Sequence, residues 1–193
     1  VISLLAGIAL LPAAIVTGYY LFLAIVSVLH LREVPRQYRS PVHRLGIMIP
    51  AHDEENSVAA AIRSCLELDY PREMFDIYVV ADNCTDRTTS IAESCGANCL
   101  VRQDAVHTGK GFALEWAFAR LHHDNYDAYV IMDADCTLDR HALREFDYHL
   151  QKGAEVIQAS YVVANPDENA ISYVLAVGNL IENNLFYDAK SRL

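Results

Sequence analysis

The first 31 of the 193 residues contain no Asp, Glu, Lys or Arg. No C-x-x-C pair occurs among the five cysteines, and neither His nor Cys recurs at a zinc-site spacing. A structural zinc is therefore not expected, and the thiols read as reduced and buried. The chain also has no internal repeat and no low-complexity tract. It has no excess of basic charge, since 25 acids outnumber 15 Lys and Arg for a net of −10. That balance excludes a protein that holds nucleic acid by bulk charge. Disorder is excluded as well, because 53% of the residues are apolar.

What the chain does contain is unevenly spread. Residues 1–31 are rich in Leu, Ile, Val and Ala and exceed the ~20 apolar residues that cross a bilayer core. Pro12, Gly7 and Gly18 are tolerable in such a helix. A cleaved leader would have an apolar region of only ~7–15 residues and a small-residue cleavage site. Residues 32–44 carry Arg32, Arg36, Arg39 and Arg44 against Glu33, a net of +3 that leaves −13 for the remainder. Arginines just beyond a span place the adjoining domain in the cytoplasm. The expected organisation is a transmembrane anchor at 1–31, a basic juxtamembrane linker at 32–44 and a globular domain at 45–193. The expected location is the inner or plasma membrane. The chain opens on Val1 and not Met, so a missing start is expected.

From Leu45 onward, short apolar runs alternate with helix-period segments. Strands are expected at Leu45–Ile49, Asp76–Ala81, Asn98–Arg102, Ala128–Met132 and Glu155–Ala159. Helices are expected at Glu54–Leu68, at a segment capped by Thr85 or Asp86 and running towards Cys95, at Lys110–His122 and at Leu138–Lys152, with a last one over Asn169–Phe186. Trp116, Phe112 and Phe118 are expected in the core. Such alternation predicts an α/β fold with a mainly parallel sheet and helices on both faces. Ligands bind such sheets beyond the carboxyl ends of the strands.

Polar residues gather just there. Pro50-Ala51-His52-Asp53-Glu54-Glu55 follows the first strand, Asp82-Asn83-Cys84-Thr85-Asp86 the second, and Asp133-Ala134-Asp135 the fourth. Glu54, Glu55 and Asp86 are ordinary acids for a first helical turn. Asp82, Asp133 and Asp135 directly follow strands, and that many carboxylates repel unless solvated or bound to a cation. Positions i and i+2 of an extended chain point the same way, so Asp133 and Asp135 suit one hard divalent ion, Mg²⁺ or Mn²⁺, whose shell a diphosphate would complete. The competing reading is a polar loop in which Asp135 or Thr137 caps the next helix. His107-Thr108-Gly109-Lys110-Gly111 opens a helix. It lacks the Walker A pattern, yet a lysine between glycines at a helix start suits a phosphate group. His52 lies on the rim, in position to face a ring of a ligand.

The segments Pro50–Glu55, Val80–Asp86, Gly109–Leu114 and Asp133–Asp135, in that order and spacing, resemble the family-two glycosyltransferases of GT-A fold. The likeness covers about Leu45 to Ala159. Among members it is nearest the membrane-bound synthases of cellulose, hyaluronan and poly-N-acetylglucosamine. The resemblance implies that Pro50, Ala51, His52, Glu54 and Asp82 hold the nucleoside of a UDP-sugar. It implies that Lys110 approaches the diphosphate, that Asp133 binds ribose or sugar, and that Asp135 with Asp133 binds the cation. The implied reaction is inverting transfer of a sugar to the hydroxyl of a carbohydrate or lipid-linked acceptor. The acidic motif supplying the base and the Gln-x-x-Arg-Trp motif of processive members do not occur before Leu193, so a donor-binding half, incomplete at its C-terminus, is expected. Two other readings compete. Met132-Asp133-Ala134-Asp135-Cys136-Thr137 also fits a haloacid-dehalogenase-type phosphatase with Asp133 as nucleophile, although that motif belongs on a first strand. A non-catalytic, membrane-tethered nucleotide-binding domain is the other.

Overall fold

The computed structural model describes residues 2–29, 38–122 and 124–183. It comprises two compact units, one of Val1–Arg36 with Gln158–Leu193 and one of Gln37–Ile157.

The second unit is built on four strands: β1 (Leu45–Ala51), β2 (Phe75–Asp82), β3 (Asn98–Arg102) and β4 (Ala128–Ile131). They form one sheet in the order β3-β2-β1-β4 with every pair parallel. Alternate residues of β1 serve opposite faces. Leu45, Ile47, Ile49 and Ala51 join one hydrophobic cluster, whereas Met48 joins a second with Val80. The central strands are thus buried on both sides, as their near-continuous apolar sequences require. Each fully buried Ile or Met contributes roughly 1.5–3 kcal/mol.

The helices are α2 (Val58–Leu66), α3 (Thr88–Ser94), α4 (Lys110–Leu121) and α5 (Ala142–Gln151). Helix α2 buries Val58, Ala61, Ile62 and Cys65, the i, i+3, i+4, i+7 stripe of an amphipathic helix. With Ala92 of α3 and Leu143 of α5 it covers one face. Ala113, Ala117 and Leu121 of α4 cover the other. Crossovers between parallel strands are right-handed, so a chain that moves outward through β2 and β3 and then jumps back past β1 to β4 carries its helix to the opposite face. That reversal creates a switch point between β1 and β4.

In the first unit, α1 (Ile2–Leu29) and α6 (Ala170–Ile181) are helical. Asn169 caps α6 by accepting from the amides of Ile171 (3.0 Å) and Ser172 (2.9 Å). Among the described residues no helix is long and apolar enough to cross a membrane. The backbone of α1 runs for 28 residues, but its side chains are described only over 10–26. There Leu10, Leu11, Ile15 and Leu21 are mostly exposed. The arginines at 32 and 36, His123 and the end of the helix expected to reach Phe186 lie outside the described residues.

Several expected boundaries shift for identifiable reasons. Strand β1 does not stop before Pro50 but runs through it to Ala51. The last bond on the β4 side runs from the Met132 amide to the Met48 carbonyl (3.1 Å). Residue 50 would donate the next, so that ladder ends at Pro50, which has no N–H, while the pairing with β2 continues to Ala51↔Ala81. Glu155–Ala159 is not a strand: it pairs with none of the described strands and Val156 is 91% exposed. An apolar run without a partner strand has nothing to hold it extended. Helix α5 begins at Ala142 and not Leu138, because Asp139 first makes a turn, accepting from the amides of His141 and Ala142. Phe112 is not core. It is 46% exposed and packs edge-on against the His107 ring.

Candidate functional site

Because all four strands run parallel, their carboxyl ends share one edge. Ala51 sits opposite Ala81, and Asp82 opposite Arg102. His52, Asp82 and Asp133 thus emerge on the same rim, with the β1 and β4 ends flanking the switch point.

The loops after β1 and β2 are locked together. Asp53, in the left-handed region at φ 55, accepts from the amides of Thr85 (2.6 Å) and Asp86 (3.2 Å). Asp86 accepts from the amide of Glu55 (3.0 Å) and from the amide (2.9 Å) and hydroxyl (2.5 Å) of buried Thr88. The Thr88 hydroxyl in turn accepts from the amide of Glu54 at 2.8 Å. Glu54 accepts from Ser57 Oγ (2.5 Å), and Glu55 from Arg87 Nε (3.1 Å). These bonds hold Asp53 and Asp86 below the usual carboxylate range, for Asp53 chiefly through the Thr85 amide and for Asp86 through Thr88 in spite of its desolvation. They also delay the helices. Residues 54–57 are committed to the clamp, so α2 starts at Val58, and α3 starts at Thr88.

Asp82 ends β2 and is buried. Its Oδ1 accepts from Arg102 Nη1 (2.5 Å) and Asn83 Nδ2 (3.2 Å). Its carbonyl accepts from Nδ1 of His52 (2.7 Å), and this bond is the main cause that raises the His52 pKa. Arg102, 4% exposed, also donates through Nη2 to Asp104 Oδ2 (3.0 Å) and the His107 carbonyl (2.7 Å). Asp104 accepts from the amides of His107 and Val106, both at 2.9 Å, and those bonds above all pull its pKa down to about 2. Sequence reasoning overlooked Arg102 and Asp104. The available signal was an arginine closing the apolar run Asn98-Cys99-Leu100-Val101.

Gly109 caps α4 at φ 105, which an L side chain adopts only under strain. Lys110, the first helical residue, donates to Asp133 Oδ1, with both side chains about half exposed. Oxygen atoms of Asp133 and Asp135 and the Cys136 sulfur lie within 4.8 Å of one another, a compact group able to hold a metal ion. Two hard carboxylates in that group suit Mg²⁺ or Mn²⁺, and the sulfur does not. A second such group, Asp53, Cys84 and Asp86, is already occupied in the clamp. All five cysteines are free. Cys65 is buried, and burial raises its thiol to about 11.

An open parallel sheet wound on both faces, with acids and a glycine-flanked lysine gathered at its switch point, has the build of a nucleotide-binding α/β domain. The particular family follows from comparison. Residues 46–192 match the family described as "Glycosyl transferase family 2", and the chain belongs to it. Its relatives include the cellulose synthase 1 catalytic subunit [UDP-forming] of Komagataeibacter xylinus, 26% identical over 94% of this chain and 25% of that protein. The probable glycosyltransferase YdaM of Bacillus subtilis is 28% identical over 58% of this chain and 28% of that protein. The chain therefore spans about a quarter of the length of each. The fold is shared with the mannosyltransferase PcManGT of Pyrobaculum calidifontis, solved in complex with GDP-Man and Mn²⁺. That match has a TM-score of 0.58 at 21% identity, covering 86% of this chain and 48% of that one. The family removes the phosphatase reading, and so does the position of Asp133, which follows the fourth strand and not the first.

Proposed function

We propose that this chain is the donor-binding half of an inverting, metal-dependent hexosyltransferase that takes a sugar from a UDP-sugar to the hydroxyl of a carbohydrate or lipid-linked acceptor. The observation that carries the reading is the placement of Asp82 and of the Asp133/Asp135 pair on one edge of the sheet, beside the switch point. On this reading Pro50, Ala51, His52, Glu54 and Asp82 form the nucleoside side. Lys110 faces the diphosphate, Asp133 the ribose or sugar, and Asp135 with Asp133 the Mg²⁺ or Mn²⁺. When bound, such a cation stabilises charge on a departing phosphate oxygen by several kcal/mol. The chain's own contribution is to orient the donor and bring cationic charge to it. Lys110 now sits on Asp133 in an exposed pair worth at most ~1 kcal/mol, so an arriving diphosphate can draw it away cheaply. No residue here is assigned as the base that deprotonates the acceptor. Of the relatives, one is named as UDP-forming and one was solved with a GDP-sugar and Mn²⁺.

Residues 1–31 are proposed to anchor this domain in the inner or plasma membrane, with the sheet on the cytoplasmic side. The absence of Asp, Glu, Lys and Arg from residues 1–31 of the sequence supports that reading, as do the arginines beyond them.

The test is thermal and calorimetric. Melting with UDP, GDP and CDP, with and without Mn²⁺, is expected to show the largest upward shift for UDP with Mn²⁺. Asp135→Asn is expected to abolish that shift while leaving the unliganded melting temperature in place, because the side chain is exposed. Binding that persists unaltered in Asp135→Asn removes the metal role.

A further inference from the structure

Resting on that donor reading, we propose that Arg102 is a positioning residue for nucleoside recognition: it locks the Asp82 carboxylate so that a single oxygen, Oδ2, is presented to the ligand. The two oxygens of Asp82 are not equivalent. Oδ1 takes both Arg102 Nη1 and Asn83 Nδ2 and is saturated. Oδ2 has no hydrogen-bond partner among the described residues. It is nonetheless not sealed, because Arg102 Nε is the one sealed side-chain nitrogen or oxygen without a partner among them. Oδ2 therefore keeps solvent access at the carboxyl edge of the sheet, where an N–H or O–H of a nucleoside can reach it.

The donors that fix Oδ1 are themselves immobile. The Arg102 guanidinium is held from its other end by Asp104 and by the His107 carbonyl. Asn83, left-handed at φ 53, receives the Asp104 amide on its Oδ1 at 2.8 Å and donates its own amide to the Arg102 carbonyl at 2.8 Å. A planar fork bound at two points sets the rotation of its partner, which a lysine's single ammonium does not. The bound geometry is thus prepared before the ligand arrives, and the ligand need not order the carboxylate.

A purely structural ion pair makes a different prediction from a positioning residue, and the full chain in detergent micelles distinguishes them. Calorimetry with Mn²⁺ compares UDP with pyrophosphate, which lacks the nucleoside. Arg102→Lys is expected to lose at least ~tenfold in UDP affinity and to keep pyrophosphate affinity within ~twofold. Placed on Asp82→Asn, the same change is expected to cost less than ~twofold, since the carboxylate it positions is gone. A folded Arg102→Lys that binds UDP like the wild type overturns the proposal. So does an equal loss in both backgrounds. Should Arg102→Lys fail to fold, the pair Asp82→Asn/Arg102→Gln, which buries no charge, carries the test. UDP affinity matching that of Asp82→Asn alone supports the role, and wild-type affinity overturns it. A wild-type chain that binds pyrophosphate with Mn²⁺ but no nucleoside diphosphate more tightly overturns the arginine's role and leaves the metal site standing. One that binds neither overturns the donor reading, and the arginine's role with it.

Discussion

Gly109 and Asp104 show how single residues aim the loop that delivers Lys110. At φ 105 and ψ 163 the glycine occupies backbone space that is essentially closed to other residues. A Cβ there meets no atom within 4 Å, so the cost of Gly109→Ala is backbone strain alone, about 1–3 kcal/mol. The expected outcome is a lower melting temperature together with weaker UDP binding, read in one titration series. Asp104 governs the same loop by charge. Its folded pKa of about 2 lies below the ordinary carboxylate value of ~3.9, so the stability it adds is complete above that value and is lost as the pH falls towards 2. Melting curves from pH 5 to pH 2 are expected to steepen their decline below pH 4. Asp104→Asn should flatten that part of the profile while lowering stability at pH 7. The glycine stood out in the sequence beside Lys110, whereas Asp104 was overlooked, because the amides that hold it are brought to it only by the fold of the loop.

At the scale of elements, the sheet was readable and its joints were not. Runs such as Asp76-Ile77-Tyr78-Val79-Val80-Ala81 are short, apolar and rich in β-branched residues, the pattern of a buried strand, and β2 contains that whole segment. The helix after β1 starts at Val58 and not Glu54 because local sequence cannot reveal that Glu54 and Glu55 give their amides to residues more than thirty positions away. Thr88 is the centre of that joint, wholly buried and bonded on both sides. Thr88→Val keeps the shape and deletes both bonds, leaving the Glu54 amide without its acceptor, at a cost of about 1–3 kcal/mol. Urea denaturation is the direct measurement. A change below about 0.5 kcal/mol would mean that the clamp does not hold these loops. The failed strand at Glu155–Ala159 teaches the converse, that apolar composition without a pairing edge does not make a strand.

For the molecule as a whole, segregation of charge predicts where it resides. A chain lacking residues 1–31 is expected to remain in the supernatant after high-speed centrifugation of lysed cells. The full chain is expected to sediment with membranes and to resist extraction by alkaline carbonate. Release of the full chain by carbonate would show attachment to the surface, not a span. The sequence by itself determined the parallel α/β build, because buried strands and amphipathic helices are written in local periodicity. It also determined the rim that carries His52, Asp82 and Asp133, because parallel strands necessarily end together. Only the tertiary structure decided which acids are tied up and which are open. Asp53 spends an oxygen on the distant amides of Thr85 and Asp86, and Asp86 gives its own to Glu55 and Thr88. Asp82 gives one oxygen to Arg102, and Asp133, paired with Lys110, stays exposed with Asp135. The physical reason is that a carboxylate's availability depends on donors brought to it from other strands, and no reading of neighbours along the chain contains them.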